Sequence, residues 1–170
     1  MKKAVMILSG GLDSTVLLYQ LLAEGYSVTA VTFDYGQKHS REIQFAQATC
    51  LKTRVDHRII DLSSVGRHLE SALTQEVIAI PEGHYEENSM KSTVVPYRNM
   101  IMLSIAAGIC SSEGIDLLVY GAHGGDHAIY PDCRPEFVDA MQEVINQGDY
   151  AEILIQAPFL NESKIDIVKT

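Results

Sequence analysis

The chain of 170 residues has no apolar run of membrane-spanning length, so a membrane partner is not expected. It is short of positive charge: 13 Lys and Arg stand against 22 Asp and Glu, a net charge of −9, with no basic stripe. That balance speaks against holding a tRNA or DNA backbone and favours a small-molecule partner over nucleic acid. Only three cysteines occur, Cys50, Cys110 and Cys133. They are odd in number and far apart, which excludes a disulfide framework and any zinc-ligand spacing and points to a reducing cytosol. No metal ligand set is assigned within the chain. Repeats, heptads and low-complexity tracts are absent, so residues 1–170 read as one domain. Met1-Lys2-Lys3 and the apolar residues after them imitate a secretory signal. The run is too short, and Gly-Gly-Leu-Asp stands where a small-residue cleavage site belongs, so a cytoplasmic protein is expected.

What is present is organised around Ser9-Gly10-Gly11-Leu12-Asp13-Ser14, which follows the apolar run Ala4–Leu8 and precedes a segment with Val16, Leu17, Leu21 and Leu22 at helical spacing. Strand, glycine turn and helix start in so short a stretch aim backbone N–H groups and a helix dipole at one point, where an anion belongs. Ser9 and Ser14 add hydroxyls, and the two glycines let a ligand approach the backbone. No Lys follows the glycines as in a G-x-x-x-x-G-K-[ST] loop, and G-x-G-x-x-G is absent. Asp13 inside an anion loop either meets a divalent cation that bridges to phosphates or caps the helix. The plain alternative is an ordinary strand–turn–helix.

Further strands are predicted at 27–33, 56–61, 115–120 and 153–158, alternating with helices. That order argues for a parallel sheet covered on both faces, a doubly wound three-layer sandwich. The first intervening helix takes Ile43, Phe45, Ala46 and Leu51 as apolar positions, and a later one takes Phe137, Met141 and Val144. Asn161 is read as the cap of a last helix, 162–169. Residues 74–95 lose periodicity and read as a lid loop closing over substrate. Pro96 opens a helix with Arg98 and Asn99 in its first turn. A cation there opposes the dipole, which suggests that Arg98 clamps phosphate or carboxylate oxygens. His39 and His57 read as surface histidines, solvated or hydrogen-bonded, rather than catalytic.

The S-G-G-L-D-S string resembles the pyrophosphate loop of the N-type ATP pyrophosphatases, which split ATP between the α- and β-phosphates. Read with D-Y-G-Q (34–37), V-P-Y-R-N (95–99), G-A-H (121–123) with Asp126, and Y-P-D-C-R-P (130–135), the chain is similar over its whole length to the 7-cyano-7-deazaguanine synthase family. The resemblance implies a five-stranded parallel sheet in the order 3-2-1-4-5. It also implies an ATP-dependent ligase of queuosine biosynthesis that joins 7-carboxy-7-deazaguanine to ammonia and dehydrates the product to a nitrile.

On that resemblance ATP is bound by Ser9, Gly10, Gly11, Leu12, Asp13 and Ser14, with Leu8 before them and Thr15, Val16, Leu17 and Leu18 after. Lys38 adds positive charge, and Asp13 helps hold Mg²⁺. Asp13, Arg98, His123, Asp126 and Asp132 are the catalytic candidates, the last three for substrate recognition or proton handling. The family carries a zinc-binding cysteine cluster beyond these residues, so Zn²⁺ is expected only with that segment, and the final helix reads as cut. Oligomeric state stays open, a homodimer included. Two alternatives remain: another adenylating enzyme, such as a tRNA-thiolating one, and a non-catalytic ATP-binding module.

Overall fold

The computed structural model describes residues 2–37, 41–69, 71 and 93–169. Five strands, β1 (Lys3–Ile7), β2 (Ser27–Asp34), β3 (Asp56–Asp61), β4 (Leu117–Val119) and β5 (Leu154–Gln156), form one parallel sheet in the order β3-β2-β1-β4-β5. The fold class and strand order are those expected. Strand periodicity divides β1 cleanly: Val5 faces one side, while Ala4, Met6 and Leu8 face the other.

On the Met6 face lie α1 (Leu12–Ala23), α2 (Arg41–Thr53) and α6 (Lys164–Lys169), through Leu17, Leu18, Leu21, Ala46, Cys50 and Ile167. On the Val5 face lie α4 (Arg98–Glu113) and α5 (Pro135–Gly148), through Leu103, Ala106, Cys110, Met141 and Ile145. Burying each large side chain here contributes about 1.5–3 kcal/mol, which is what holds both helix layers on the sheet. The short α3 (Ser63–Gly66) follows β3.

Four local readings are corrected. Phe45 and Leu51 on α2 point outward, and Ile43, Ala46 and Cys50 make its buried face instead. Val144 on α5 is exposed, and Met141 and Ile145 carry the packing. Asn161 does not cap α6: Ser163 Oγ accepts from the Asp166 amide at 3.3 Å while Asp166 Oδ2 accepts from the Ser163 amide at 3.2 Å. This reciprocal pair is a capping box with Asp in place of Glu. The N-cap of α1 is Gly11, with no side-chain cap, so Asp13 sits inside the first turn and is not the cap. The expected lid falls almost wholly on 72–92, outside the described residues, as do Lys38 and His39.

The sheet order reverses between β1 and β4, and the crevice above their carboxyl ends is where open α/β sheets collect ligands. The segments leaving these two strands are the SGGLDS loop and Tyr120–His123. They touch directly, since a Cβ on Gly121 would lie 3.4 Å from the Ser14 amide nitrogen.

Candidate active site

Gly10 makes the loop after β1 possible. Its φ is +89°, and a Cβ there would stand 1.9 Å from the Glu42 carbonyl oxygen of α2. Its bareness therefore admits the α2 backbone rather than a ligand, which corrects that part of the sequence reading. Past it, the Gly11 amide donates to Ser9 Oγ at 3.2 Å, and Ser9 Oγ and Ser14 Oγ are 3.0 Å apart. Thr15 Oγ1 turns back onto the Gly11 carbonyl at 2.8 Å. The hydroxyls thus brace the turn, and the uncapped first-turn amides of α1 are left to face an anion.

Opposite the loop, His123 is nearly inaccessible, and its Nδ1 accepts from the Gly125 amide at 3.0 Å. The ring proton therefore sits on Nε2, an assignment made from this hydrogen bond. That nitrogen is 3.5 Å from Asp126 Oδ1 and 3.7 Å from Asp13 Oδ2. Burial pushes the Asp126 carboxyl above the usual range, and Asp13 adds to this; His123, Lys164 and Arg98 pull the other way without prevailing. Asp13 Oδ1 is buried without a hydrogen-bond partner. A divalent cation would satisfy that orphan and relieve the crowding of the two carboxylates. Among the described residues no group of three His, Cys, Asp or Glu is arranged to hold a metal. Two carboxylates suit Mg²⁺, which keeps waters and takes its other oxygens from phosphates.

From the other wall, Arg98 reaches into the cleft from the first turn of α4. Its Nη1 lies 3.5 Å from the Tyr35 hydroxyl, and its guanidinium stands 6.0 Å from the centre of the Tyr130 ring. Burial opposes its charge, but the Tyr35 hydroxyl and Asp132 outweigh that and hold it protonated. Asp132 is spent on structure: its Oδ2 accepts from the Asn99 amide at 3.1 Å, completing the amino end of α4, and it does not line the cleft. Cys133 does line the cleft, but burial pushes its thiol up to about 12, so it is a protonated wall rather than a nucleophile.

The cleft has a volume of about 370 Å³. Ser9, Gly11, Leu12, Asp13 and Ser14 line it on one side, and Arg98, His123 and Asp126 on the other. Leu8 lines its floor, whereas Gly10, Thr15, Val16, Leu17 and Leu18 do not line it; Leu17 and Leu18 are fully buried under the sheet. Two charged lining residues escaped sequence reasoning. Glu42 belongs to the first turn of α2, and Lys164 comes from α6. A wider groove of about 1270 Å³ lies at the opposite edge of the sheet, around the amino ends of β1 and β4. It lacks the glycine loop and the paired carboxylates, so the smaller cleft is the site.

Comparison with known proteins agrees with this geometry. Residues 3–170 match the family model described as queuosine biosynthesis protein QueC. The 7-cyano-7-deazaguanine synthase of Methanoregula boonei is 53% identical over 167 residues, covering 98% of this chain and 77% of that protein. The enzyme of that name from Hahella chejuensis is 48% identical, with 98% and 72% covered. Among solved structures, the predicted subunit of a tRNA methyltransferase from Methanocaldococcus jannaschii aligns with a TM-score of 0.60 at 14% identity, covering 99% of this chain and 73% of that one. A 4-thiouridine synthetase in complex with RNA and bound ATP aligns with a TM-score of 0.50 at 18% identity, covering 99% and 49%. These two share the fold. Together with the glycine loop and the carboxylates that face it, the family match and the relatives' identity over nearly every residue place the chain in the QueC family, that of the 7-cyano-7-deazaguanine synthases.

Proposed function

We propose that the chain is an ATP-dependent ligase that converts 7-carboxy-7-deazaguanine and ammonia to 7-cyano-7-deazaguanine. The observation that carries this beyond the family match is the cleft's polarity. Uncapped α1 amides lie on one side, the Arg98 guanidinium on the other, and the Asp13–Asp126 pair between them. A carboxylate is a poor electrophile, because oxide would have to leave. Attack of its oxygen on the α-phosphorus of ATP expels pyrophosphate and gives a mixed anhydride. Ammonia displaces AMP from that anhydride to give the amide. A second adenylation, on the amide oxygen, then lets AMP and protons leave as the nitrile forms.

In this reading the first-turn amides of Leu12–Ser14 stabilise the charge that grows on departing pyrophosphate. Asp13 and Asp126 would hold Mg²⁺, which screens the triphosphate from an incoming anion. His123, with its proton on Nε2, keeps the two carboxylates in place. Arg98 orients the substrate carboxylate, and Lys164 adds charge on the phosphate side; Lys38 stays a further candidate. We place on the same footing residues 1–170 as one ATP-pyrophosphatase-type domain, a cytoplasmic location, and small-molecule partners without nucleic acid. Among the described residues no helix is long and apolar enough to cross a membrane. We expect Zn²⁺ only together with the family's cysteine cluster; Cys50 is buried on the opposite face of the sheet from Cys110 and Cys133.

The deciding measurement is AMP and pyrophosphate formation from ATP. Both should appear when 7-carboxy-7-deazaguanine and ammonia are present and be absent without the carboxylate. Carboxylate-independent hydrolysis alone would remove this reading.

A further inference from the structure

Thr32 is among the few polar residues buried in the core, at 1% exposure. It stands on β2 at a strand position where Val would have the same shape without a hydroxyl to desolvate. That hydroxyl makes two hydrogen bonds. One is to the Leu8 carbonyl at 2.6 Å, and the other joins His57 Nε2, from β3, at 2.8 Å. The protons can be counted. A carbonyl only accepts and a hydroxyl has one hydrogen, so Thr32 donates to Leu8 and must accept from His57. His57 therefore carries its proton on Nε2, and a donor chain runs from His57 through Thr32 to Leu8.

Leu8 is the residue from which the glycine loop departs. Its amide donates to the Val31 carbonyl at 2.9 Å, so Val31 and Thr32 hold both of its backbone polar groups. The Leu8 carbonyl belongs to the Leu8–Ser9 peptide, and Ser9 Oγ in turn receives the Gly11 amide. Whatever sets that peptide plane sets the start of the loop.

We propose that Thr32 and His57 are positioning residues of the phosphate loop, fixing the Leu8–Ser9 peptide so that the loop amides are aligned for the polyphosphate of ATP. This rests on the reading of the loop as an ATP site. Neither residue lines the cleft, so each acts through Leu8.

The test compares wild type with Thr32→Val, Thr32→Ser, His57→Phe and the Thr32→Val/His57→Phe double variant. The readouts are the Kd of the unreactive analogue α,β-methylene-ATP, KM for ATP, KM for the carboxylate substrate, and the melting temperature. Thr32→Val should weaken analogue binding and raise KM for ATP about tenfold, the effect expected of one buried hydrogen bond with a partner left unpaired. KM for the carboxylate should hold within twofold, and Thr32→Ser should restore nucleotide binding. The double variant should be no worse than Thr32→Val alone, because the two residues form one chain. A folded Thr32→Val protein with wild-type nucleotide affinity overturns the proposal, as does equal weakening of both substrates. Should wild type fail to bind the analogue, the ATP-site reading falls and this inference falls with it. Wild-type binding without carboxylate-dependent pyrophosphate release removes the proposed reaction while leaving the positioning role to be judged on Kd.

Discussion

His123 Nε2 lies 3.7 Å from Asp13 Oδ2, so the segment after β4 and the first turn of α1 meet over one polar contact at the point where the sheet order reverses. The contact leaves Asp13 Oδ1 buried and unpartnered. Asp13→Asn should therefore cost little stability, with a melting temperature within a few degrees of wild type and an unchanged circular dichroism spectrum. Pyrophosphate release should fall on the order of a hundredfold or more, the scale seen when a preorganised charge is removed. Near-wild-type turnover would take Asp13 out of the mechanism.

Gly10 couples the loop to α2 through its contact with the Glu42 carbonyl. Gly10→Ala meets backbone, not a flexible side-chain tip, and also forces an L residue to a φ of +89°. Chemical denaturation should show a loss of roughly 3 kcal/mol or more. Gly11→Ala, where a Cβ would find ordinary contacts of 3.4 and 3.8 Å, should cost far less.

His57 gives the chain a pH signature. Burial lowers its pKa from 6.5, opposed in part by Asp56. The folded protein then binds fewer protons than the unfolded chain over the interval below 6.5. Its contribution is fully present above pH 6.5 and is lost as pH falls through the folded-state value. Urea denaturation of wild type and His57→Gln between pH 7.5 and 5 should show a shallower acid decline in the variant. Parallel curves would remove His57 as a source of it.

The sheet was legible because β-branched runs such as Ser27–Phe33 alternate with helical spacing, and glycine or polar clusters mark each strand end. The segments that line the cleft were legible for the same reason, since they sit at those ends. What escaped depends on packing across the chain. Phe45 and Leu51 look like core on a helical wheel, but the narrow face of α2 that meets the sheet is taken by Ile43, Ala46 and Cys50. Asp132 read as a candidate for substrate recognition or proton handling because nothing local reveals that the Asn99 amide claims it. Lys164 escaped because it lies in the last helix, far along the chain from the glycine loop it faces across the cleft.

Tyr97 holds φ at +54° in the turn closed by the Arg98 amide on the Val95 carbonyl at 3.2 Å, and the residue is 71% exposed. A left-handed L residue costs about 1–2 kcal/mol. Glycine removes that strain and returns about 0.5–1 kcal/mol as chain entropy. Tyr97→Gly should therefore stabilise the protein by about 0.5–1 kcal/mol in urea denaturation, with turnover retained. A loss of stability would mean that the exposed ring has a partner.

Lys164 answers the absence noticed first in the glycine loop, which has no lysine of its own. The Ser163–Asp166 pair starts α6 so that Lys164 falls at its first position, where a cation gains nothing from the helix dipole. Ile167, fully buried, anchors the helix against the α1 side of the sheet. Just upstream, the Gly124 amide donates to the Glu162 carbonyl at 3.0 Å, tying this segment to the turn that carries His123 and Asp126. Lys164 is thus presented to the cleft from outside the loop, close enough to oppose, without reversing, the upward shift that burial gives Asp126. On the proposed reading its ammonium would neutralise phosphate charge in the cleft that Asp13 and Asp126 repel. Lys164→Met keeps the length of the stem and removes the charge. It should slow pyrophosphate release on the order of tenfold to a hundredfold, with the melting temperature held and KM for the carboxylate little changed. Lys164→Arg should recover part of the rate, because the charge returns on a different geometry. Wild-type pyrophosphate release by the Met variant would confine Lys164 to the cleft wall and leave Arg98 as the cationic group the chemistry uses among the described residues.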